Sequence, residues 1–134
     1  MKTLVFISAI VLLASCDVYY ADPVPVYDPR DQFTGGYDIS EYSSTYDEYW
    51  EYGINVYKSG GGQIVIDNFY NSNLRVYANV NGSRIYIPWQ KVDGYELQGD
   101  GYLSGTKLII NYKVRDTYSQ NGAWDFCDAT GWRY

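Results

Sequence analysis

The sequence predicts an all-β domain, an antiparallel up-and-down meander of about eight strands that closes into a barrel. Apolar and polar residues alternate with period two from about residue 33 onward, and turn residues stand at nearly every break in that alternation. Seventeen tyrosines and four tryptophans in 134 residues also favour strands. Closure would remove the exposed edges of a flat sheet, and a two-sheet β-sandwich is the alternative.

The predicted strands follow one another in chain order and are joined by short turns. They cover residues 35–42, 49–58, 63–69, 74–80, 85–89, 95–103, 108–114 and 124–126. Asn81-Gly82 indicates a type I′ hairpin, whose two central residues both need positive φ, and Asp93-Gly94 indicates a second, weaker one. Pro88 marks a strand end or a bulge, because proline cannot donate to a ladder. Gly99 and Gly101 leave one face of their predicted strand without side chains, and the sheet could coil sharply there.

Tyrosines also recur at helical spacing in one stretch, at residues 42, 46, 49 and 52. Ser44 with Asp47 could form a helical capping box there. Because the following residues alternate with period two, we expect a loop and a strand in this stretch.

The N-terminal residues have the pattern of an export signal. Lys2 precedes an apolar run at residues 4–13, which is too short to span a bilayer. Leu13-Ala14-Ser15-Cys16 then resembles the lipobox of bacterial lipoproteins, which implies cleavage before Cys16 and acylation of that cysteine. Residues 1–15 are therefore expected to be a lipoprotein signal peptide, with a lipid such as palmitate on Cys16. The expected location is the cell envelope, on a periplasmic leaflet or the outer-membrane surface.

The segment that follows is expected to be a tether. Residues 16–32 are acidic and contain three of the four prolines, which favours an extended linker. The alternative is a segment that packs along the domain through Tyr19, Tyr20 and Tyr27. Residues 33–134 then form the β-barrel domain.

Short motifs in this domain look like those of small bacterial lipocalin-like lipoproteins. Gly35 and Tyr37, at the start of the first strand, match a Gly-x-aromatic pattern near the barrel base. Gly99-Asp100-Gly101, with the later run 108–112, is similar to the penultimate hairpin of such proteins. The resemblance implies a barrel whose mouth or cavity holds a small apolar molecule.

Composition excludes several classes of chemistry. The chain has no histidine, so Ser-His-Asp or Cys-His catalysis and histidine-bearing zinc sites are excluded. A net charge of −6 argues against nucleic-acid binding. Lipidation of Cys16 would leave Cys127 without a partner, as a half-buried small hydrophobe. We expect no enzymatic activity, no cofactor and no metal, although a carboxylate pair for glycoside hydrolysis is formally available.

Two function classes remain open beside the membrane anchor. In the first, the barrel interior encloses a small hydrophobic ligand. Its wall candidates are Ile54, Ile66, Val76, Ile87, Leu97 and Ile110, which could equally be a filled core. In the second, outward aromatic residues bind an envelope protein partner or a glycan. These residues are Tyr57, Tyr70, Tyr77, Tyr86 and Tyr102.

Overall fold

A computed structural model describes residues 18–119 and 121–134, and within them eight antiparallel strands close into a barrel. The strands are β1 (Gly35–Ser43), β2 (Glu48–Lys58), β3 (Gln63–Phe69), β4 (Leu74–Asn81), β5 (Arg84–Val92), β6 (Tyr95–Ser104), β7 (Lys107–Asp116) and β8 (Asp125–Arg133). Each strand pairs with its neighbours in sequence, and β1 also pairs with β8. This closure confirms the predicted up-and-down barrel and excludes the sandwich. The expected signal peptide and Cys16 lie outside the described residues.

The predicted alternation places one continuous core inside the barrel. On β1, for example, Tyr37 and Ile39 are buried while Asp38 between them is exposed. The same period runs through the other strands, because successive side chains of a strand point to opposite faces. The loop and strand expected at residues 42–52 also form, with a turn at residues 44–47 between β1 and β2.

Of the two predicted hairpin turns, Asp93-Gly94 has the geometry of a type I′ turn and Asn81-Gly82 does not. Asp93 and Gly94 both have positive φ, at 48° and 85°, as a type I′ turn requires. In the other hairpin Asn81 is the last residue of β4, so the two-residue loop is Gly82 and Ser83, and only Gly82 has positive φ, at 58°. The hairpin prediction is therefore confirmed, but its turn is displaced by one residue and is not type I′.

Strand β5 continues through Pro88 by means of a bulge. The pairing with β6 shifts between Ile87 and Gln90, so Trp89 does not follow the buried Ile87 into the core and is 56% exposed. The Gln90 side chain then replaces a missing ladder contact with β4. Its amide donates to the carbonyl of Tyr77 at 2.9 Å and accepts from the Tyr77 N–H at 3.0 Å.

The base of the barrel, where β1 begins and β8 ends, is closed by a short 3-10 helix at Pro29–Gln32. Residues 18–27 are exposed and lack regular structure, whereas this helix, expected to belong to the tether, lies against the barrel. Arg30 fixes it there, because its Nη1 donates to the carbonyl of Ser59 at 2.5 Å. The exposed segment therefore ends at Tyr27. No helix in the described part of the chain has the length and apolar character to cross a membrane.

The strand ladders are complete near the base and incomplete near the opposite end, which we call the mouth. Strand β2 pairs with β3 only from Asn55 to Lys58, so its first seven residues have no ladder partner on that side. Strand β3 bends away at Asn68, a bulge residue with φ of 63°. The Asn68 amide bridges the separation by donating to the carbonyl of Gly53 at 2.8 Å. A lateral opening therefore lies beside the mouth-proximal half of β2.

Candidate functional site

A pocket with a volume of about 480 Å³ occupies this opening. It is lined by Glu41, Tyr46, Glu48, Trp50, Tyr70, Asn71, Ser72 and Asp125. These residues come from β1, from the β1–β2 turn, from the start of β2, from the β3–β4 turn and from the start of β8. Its size lies within the range of about 300–1,000 Å³ that is typical of small-ligand sites. We call it the mouth pocket.

The β3–β4 turn carries an aromatic ring into the mouth pocket through unusual backbone geometry. Tyr70, Asn71 and Asn73 all have positive φ, at 57°, 48° and 54°. The left-handed region is tolerated by asparagine but is unusual for a bulky residue such as tyrosine. In this conformation Tyr70 is half-buried, and its ring packs edge-on to Tyr95 and Tyr112. The prediction that Tyr70 points outward is therefore wrong, because turn geometry replaces strand alternation there.

Asp125 lies at the inner wall of the mouth pocket and is 4% exposed. Each of its oxygens accepts a hydrogen bond from a hydroxyl: Oδ1 from Ser43 at 2.5 Å and Oδ2 from Tyr70 at 2.8 Å. Burial raises the pKa of the Tyr70 hydroxyl well above its ordinary value, so this hydroxyl remains a donor at neutral pH. Asp125 is thereby held in one orientation.

Glu41 is the deepest acidic residue of the mouth pocket, with 2% exposure. Its Oε2 accepts from the hydroxyls of Tyr52 at 2.7 Å and Tyr112 at 2.5 Å. Burial raises the pKa of Glu41, and the charge of Asp125 adds to the rise, whereas the two tyrosine hydrogen bonds oppose it. Burial also raises the pKa of both tyrosines, which keeps them as donors.

The second carboxylate oxygen of Glu41, Oε1, accepts no hydrogen bond from any described residue. Every fully buried side-chain nitrogen or oxygen in the described chain does have a partner. Oε1 must therefore retain some accessible surface, and the open space next to Glu41 is the mouth pocket. The carboxylate thus presents a fixed oxygen with an unused acceptor capacity to this pocket.

The outer wall of the mouth pocket is aromatic and acidic. Trp50 and Tyr46 are 50% and 54% exposed, although Trp50 lies on the inward face of β2. Trp50 is exposed because β3 has already turned away at that height. Glu48 adds a third carboxylate, and among the described residues no lysine or arginine lines this pocket.

The six interior residues predicted from the sequence all point into the barrel. Each is at most 3% exposed and belongs to the continuous apolar core: Ile54, Ile66, Val76, Ile87, Leu97 and Ile110. None of the six lines the mouth pocket. Their side chains therefore belong to the packed core and not to the wall of the pocket.

Sequence reasoning missed both carboxylates that the structure brings together. Neither Glu41 nor Asp125 was predicted as a site residue, although alternation places Glu41 on the same face of β1 as Tyr37 and Ile39. The available signal was a charged residue at a position that the alternation assigns to the barrel interior. Cys127 is buried as an inward small hydrophobe, and burial raises its pKa strongly, which makes it a poor nucleophile.

The outward tyrosines other than Tyr70 are placed as predicted. Tyr57, Tyr77, Tyr86 and Tyr102 are 37–50% exposed on the outer surface. Arg75 lies over the ring of Tyr57 and Arg84 over that of Tyr102, both at about 6 Å from the centroid.

Comparison with known proteins gives one structural match to report. No protein-family model matches the chain, and no curated protein matches it. A crystal structure of zebrafish ileal bile acid-binding protein complexed with cholic acid matches with a TM-score of 0.45 and 11% sequence identity. The match covers 77% of this chain and 99% of that one. The barrel architecture itself is established by the pairing of β1 with β8.

Proposed function

We propose that this protein is a lipid-anchored bacterial lipoprotein whose barrel binds a small ligand in the mouth pocket. The observation that carries the binding proposal is the Glu41 carboxylate, which is buried yet presents Oε1 to a pocket of about 480 Å³. No protein group among the described residues donates to this oxygen, so a ligand that enters the pocket with a hydrogen-bond donor can bind to it directly. Trp50 and Tyr46 offer apolar surface to the rest of the ligand.

The proposed module is a binding protein and not an enzyme. Glu41 Oε2 and both oxygens of Asp125 are occupied by hydroxyl donors. The tyrosine hydroxyls among these donors have raised pKa values, so they hold the carboxylates as fixed acceptors. Fixed acceptors suit the orientation of a ligand, whereas catalysis needs groups that exchange protons with a substrate.

A hydrophobic ligand, as expected from the sequence, fits this proposal with its apolar part in contact with Trp50 and Tyr70. The core residues beneath, such as Ile54 and Ile110, are packed against one another. An eight-stranded barrel is just wide enough for side chains to fill it. We therefore place the ligand in the mouth pocket, outside the packed core to which the six predicted interior residues belong.

The anchoring part of the proposal rests on the lipobox-like sequence at Cys16 and on the geometry of the tether. The described tether, residues 18–27, reaches the barrel at its base through the ion pairs of Asp28 with Arg30 and Lys58. Ten extended residues span roughly 30 Å. A lipid at Cys16 would therefore hold the base toward the membrane and leave the mouth pocket facing the envelope space.

Native mass spectrometry of the purified chain tests the binding proposal, by detection of a co-purifying small molecule. We expect Trp50→Ala to lose this ligand and Trp89→Ala to keep it. Trp89 is the matched control, since it is 56% exposed against 50% for Trp50 but lies on the outer surface of β5. A ligand retained equally by both variants would place binding elsewhere.

Metabolic labelling with radioactive palmitate in a bacterial host tests the anchor. We expect the wild-type chain to be labelled and to sediment with membranes, and Cys16→Ser to be unlabelled. Since Cys127 is buried, Cys127→Ser should remain labelled and serves as the control. Label on Cys16→Ser would refute the lipoprotein assignment.

A second candidate function uses the outer surface as an interaction face for an envelope protein or a glycan. It is favoured by the exposure of Tyr77, Tyr86 and Tyr102, because tyrosines of this kind supply large contact area with a polar end. Capture of an envelope protein or a glycan by the wild-type chain, lost in Tyr86→Ser and kept in Trp50→Ala, would favour it over the mouth pocket.

A further inference from the structure

We infer that the mouth pocket selects organic cations, specifically a primary or substituted ammonium group carried on an aromatic or aliphatic body. This inference rests on the proposed function, since it names the ligand class of the same pocket. It follows from three properties of the pocket: its charge, the free acceptor at its floor and the aromatic faces of its wall.

The charge of the pocket is uncompensated. Three carboxylates line it, those of Glu41, Glu48 and Asp125, and no cationic side chain of the described residues does so. The nearby Arg115 belongs to an adjoining depression, where its Nη2 is 2.6 Å from the Glu96 carboxylate. A ligand anion would therefore be repelled, and a ligand cation attracted, in a partly desolvated environment that strengthens both effects.

The floor of the pocket requires a donor. Oε1 of Glu41 is an acceptor without a described partner, and its neighbour Oε2 is already saturated by two hydroxyls. An ammonium group has donors and no acceptor, so it complements this oxygen without leaving an unmatched lone pair. An alcohol can also donate here, but it brings no charge to balance the three carboxylates.

The aromatic residues of the pocket wall favour an organic cation over a metal ion. No group of metal-binding side chains that could hold an ion is found among residues 18–119 and 121–134. Trp50, Tyr46 and Tyr70 instead offer ring faces, which attract ammonium groups and also bury the apolar part of a ligand. A pocket of about 480 Å³ accommodates such a molecule whole.

Calorimetric titration of the purified chain with three matched probes tests the inference. The probes are 2-phenylethylamine, 2-phenylethanol and 3-phenylpropionate, which share a ring and differ in the charge of the head group. We expect the amine to bind at least tenfold more tightly than the alcohol, and the carboxylate not to bind. Glu41→Gln should reduce amine affinity at least tenfold and leave alcohol binding within about twofold.

The control variant is Glu51→Gln, which removes an exposed carboxylate from the same strand without touching the pocket. Its amine affinity should remain that of the wild type. If the alcohol or the carboxylate binds as tightly as the amine, or if Glu51→Gln weakens the amine as much as Glu41→Gln, the cation inference is overturned while ligand binding at the mouth stands. If no probe binds and no small molecule co-purifies, both proposals fail.

Discussion

The two ends of the barrel are built from the same kinds of residue for opposite purposes. At the base, Phe33 and Tyr37 are fully buried, and the Tyr37 hydroxyl donates to the carbonyl of Phe33 at 2.8 Å. At the mouth, Tyr52 and Tyr112 direct their hydroxyls at a buried carboxylate that is open to a pocket. Phe33 and Tyr37 complete a plug at the base, whereas the two tyrosines at the mouth orient an acceptor.

The two ends also differ in their contribution to the free energy of folding. The Tyr37 hydroxyl bonds both to the Phe33 carbonyl and to Arg133, so the plug favours folding. The mouth keeps two buried carboxylates close enough for the charge of Asp125 to raise the pKa of Glu41, which disfavours folding at neutral pH. Arrangements that cost stability are typical of functional sites. Four substitutions test this contrast.

The largest effect is expected for Phe33→Ala in the base plug. Truncation of a fully buried phenylalanine removes apolar burial and leaves a cavity, which costs about 3–5 kcal/mol. Phe126→Ala is the matched control, because Phe126 is 53% exposed on the outer face of β8 and should cost less than about 1 kcal/mol. Urea denaturation curves measure both. Similar losses for the two variants would show that the plug adds nothing beyond surface packing.

A smaller loss is expected for Arg133→Met at the same end. The guanidinium lies 5.2 Å from the Tyr37 ring centroid, donates to the Tyr37 hydroxyl at 2.6 Å and also donates to the carbonyl of Gln32. Loss of these contacts should cost about 1–3 kcal/mol, because the partners lose charged hydrogen bonds. Arg84→Met, whose guanidinium lies over Tyr102 on the outer surface, is the control and should cost less than half as much. Equal costs would contradict a special role for the plug.

An effect of opposite sign is expected at the mouth for Glu41→Gln. The raised pKa of Glu41 means that the folded protein binds this proton more tightly than the unfolded chain. Wild-type stability should therefore fall as the pH rises from about 4.5 through the raised pKa of the folded state. Glutamine lacks this charge, so the variant should be more stable at pH 8, within the range of about 0.5–2 kcal/mol usual for stabilising changes.

Thermal melts of both proteins between pH 4 and pH 8 check this expectation. The titratable groups that face Glu41 are Tyr52, Tyr112, Cys127 and Asp125, and Asp125 is the one carboxyl group among them. Glu51→Gln should follow the wild-type profile, since its carboxylate is exposed. A Glu41→Gln variant less stable than wild type at pH 8 would assign Glu41 to structure and remove the contrast between the two ends.

The sequence predicted the barrel far better than it predicted the site. Strands such as β3 and β6 follow from alternation and turn residues, which are local signals. Glu41 and Asp125 are 84 residues apart, and they meet only because β1 pairs with β8 at closure. The inward turn of Tyr70 depends on left-handed backbone angles that no periodicity encodes. Arg133 likewise reaches Tyr37 only through this closure, so its role at the base could not be anticipated.

The smallest effect on global stability, and the sharpest on local structure, is expected for Asp28→Asn. The Asp28 carboxylate accepts from the backbone N–H, Nε and Nη2 of Arg30, and these hydrogen bonds hold its pKa well below its ordinary value. Its contribution to holding the helix is thus present above about pH 3.8 and is lost only as the pH falls through the lower, folded pKa. Asparagine cannot form the ion pairs with Arg30 and Lys58, so residues 28–32 should separate from the barrel more often than in the wild type, while the contacts of Arg30 with Ser59 and of Lys58 with Asp31 remain.

Limited trypsin digestion measures that separation, because cleavage after Arg30 requires the segment to leave the barrel base. We expect Asp28→Asn to be cut several-fold faster than wild type with an unchanged melting temperature, and Asp22→Asn, in the exposed tether, to be cut at the wild-type rate. An unchanged rate in Asp28→Asn would mean that backbone contacts of the helix hold the base without these charges. An accelerated rate with intact ligand binding would show that the base controls the attachment of the tether independently of the mouth.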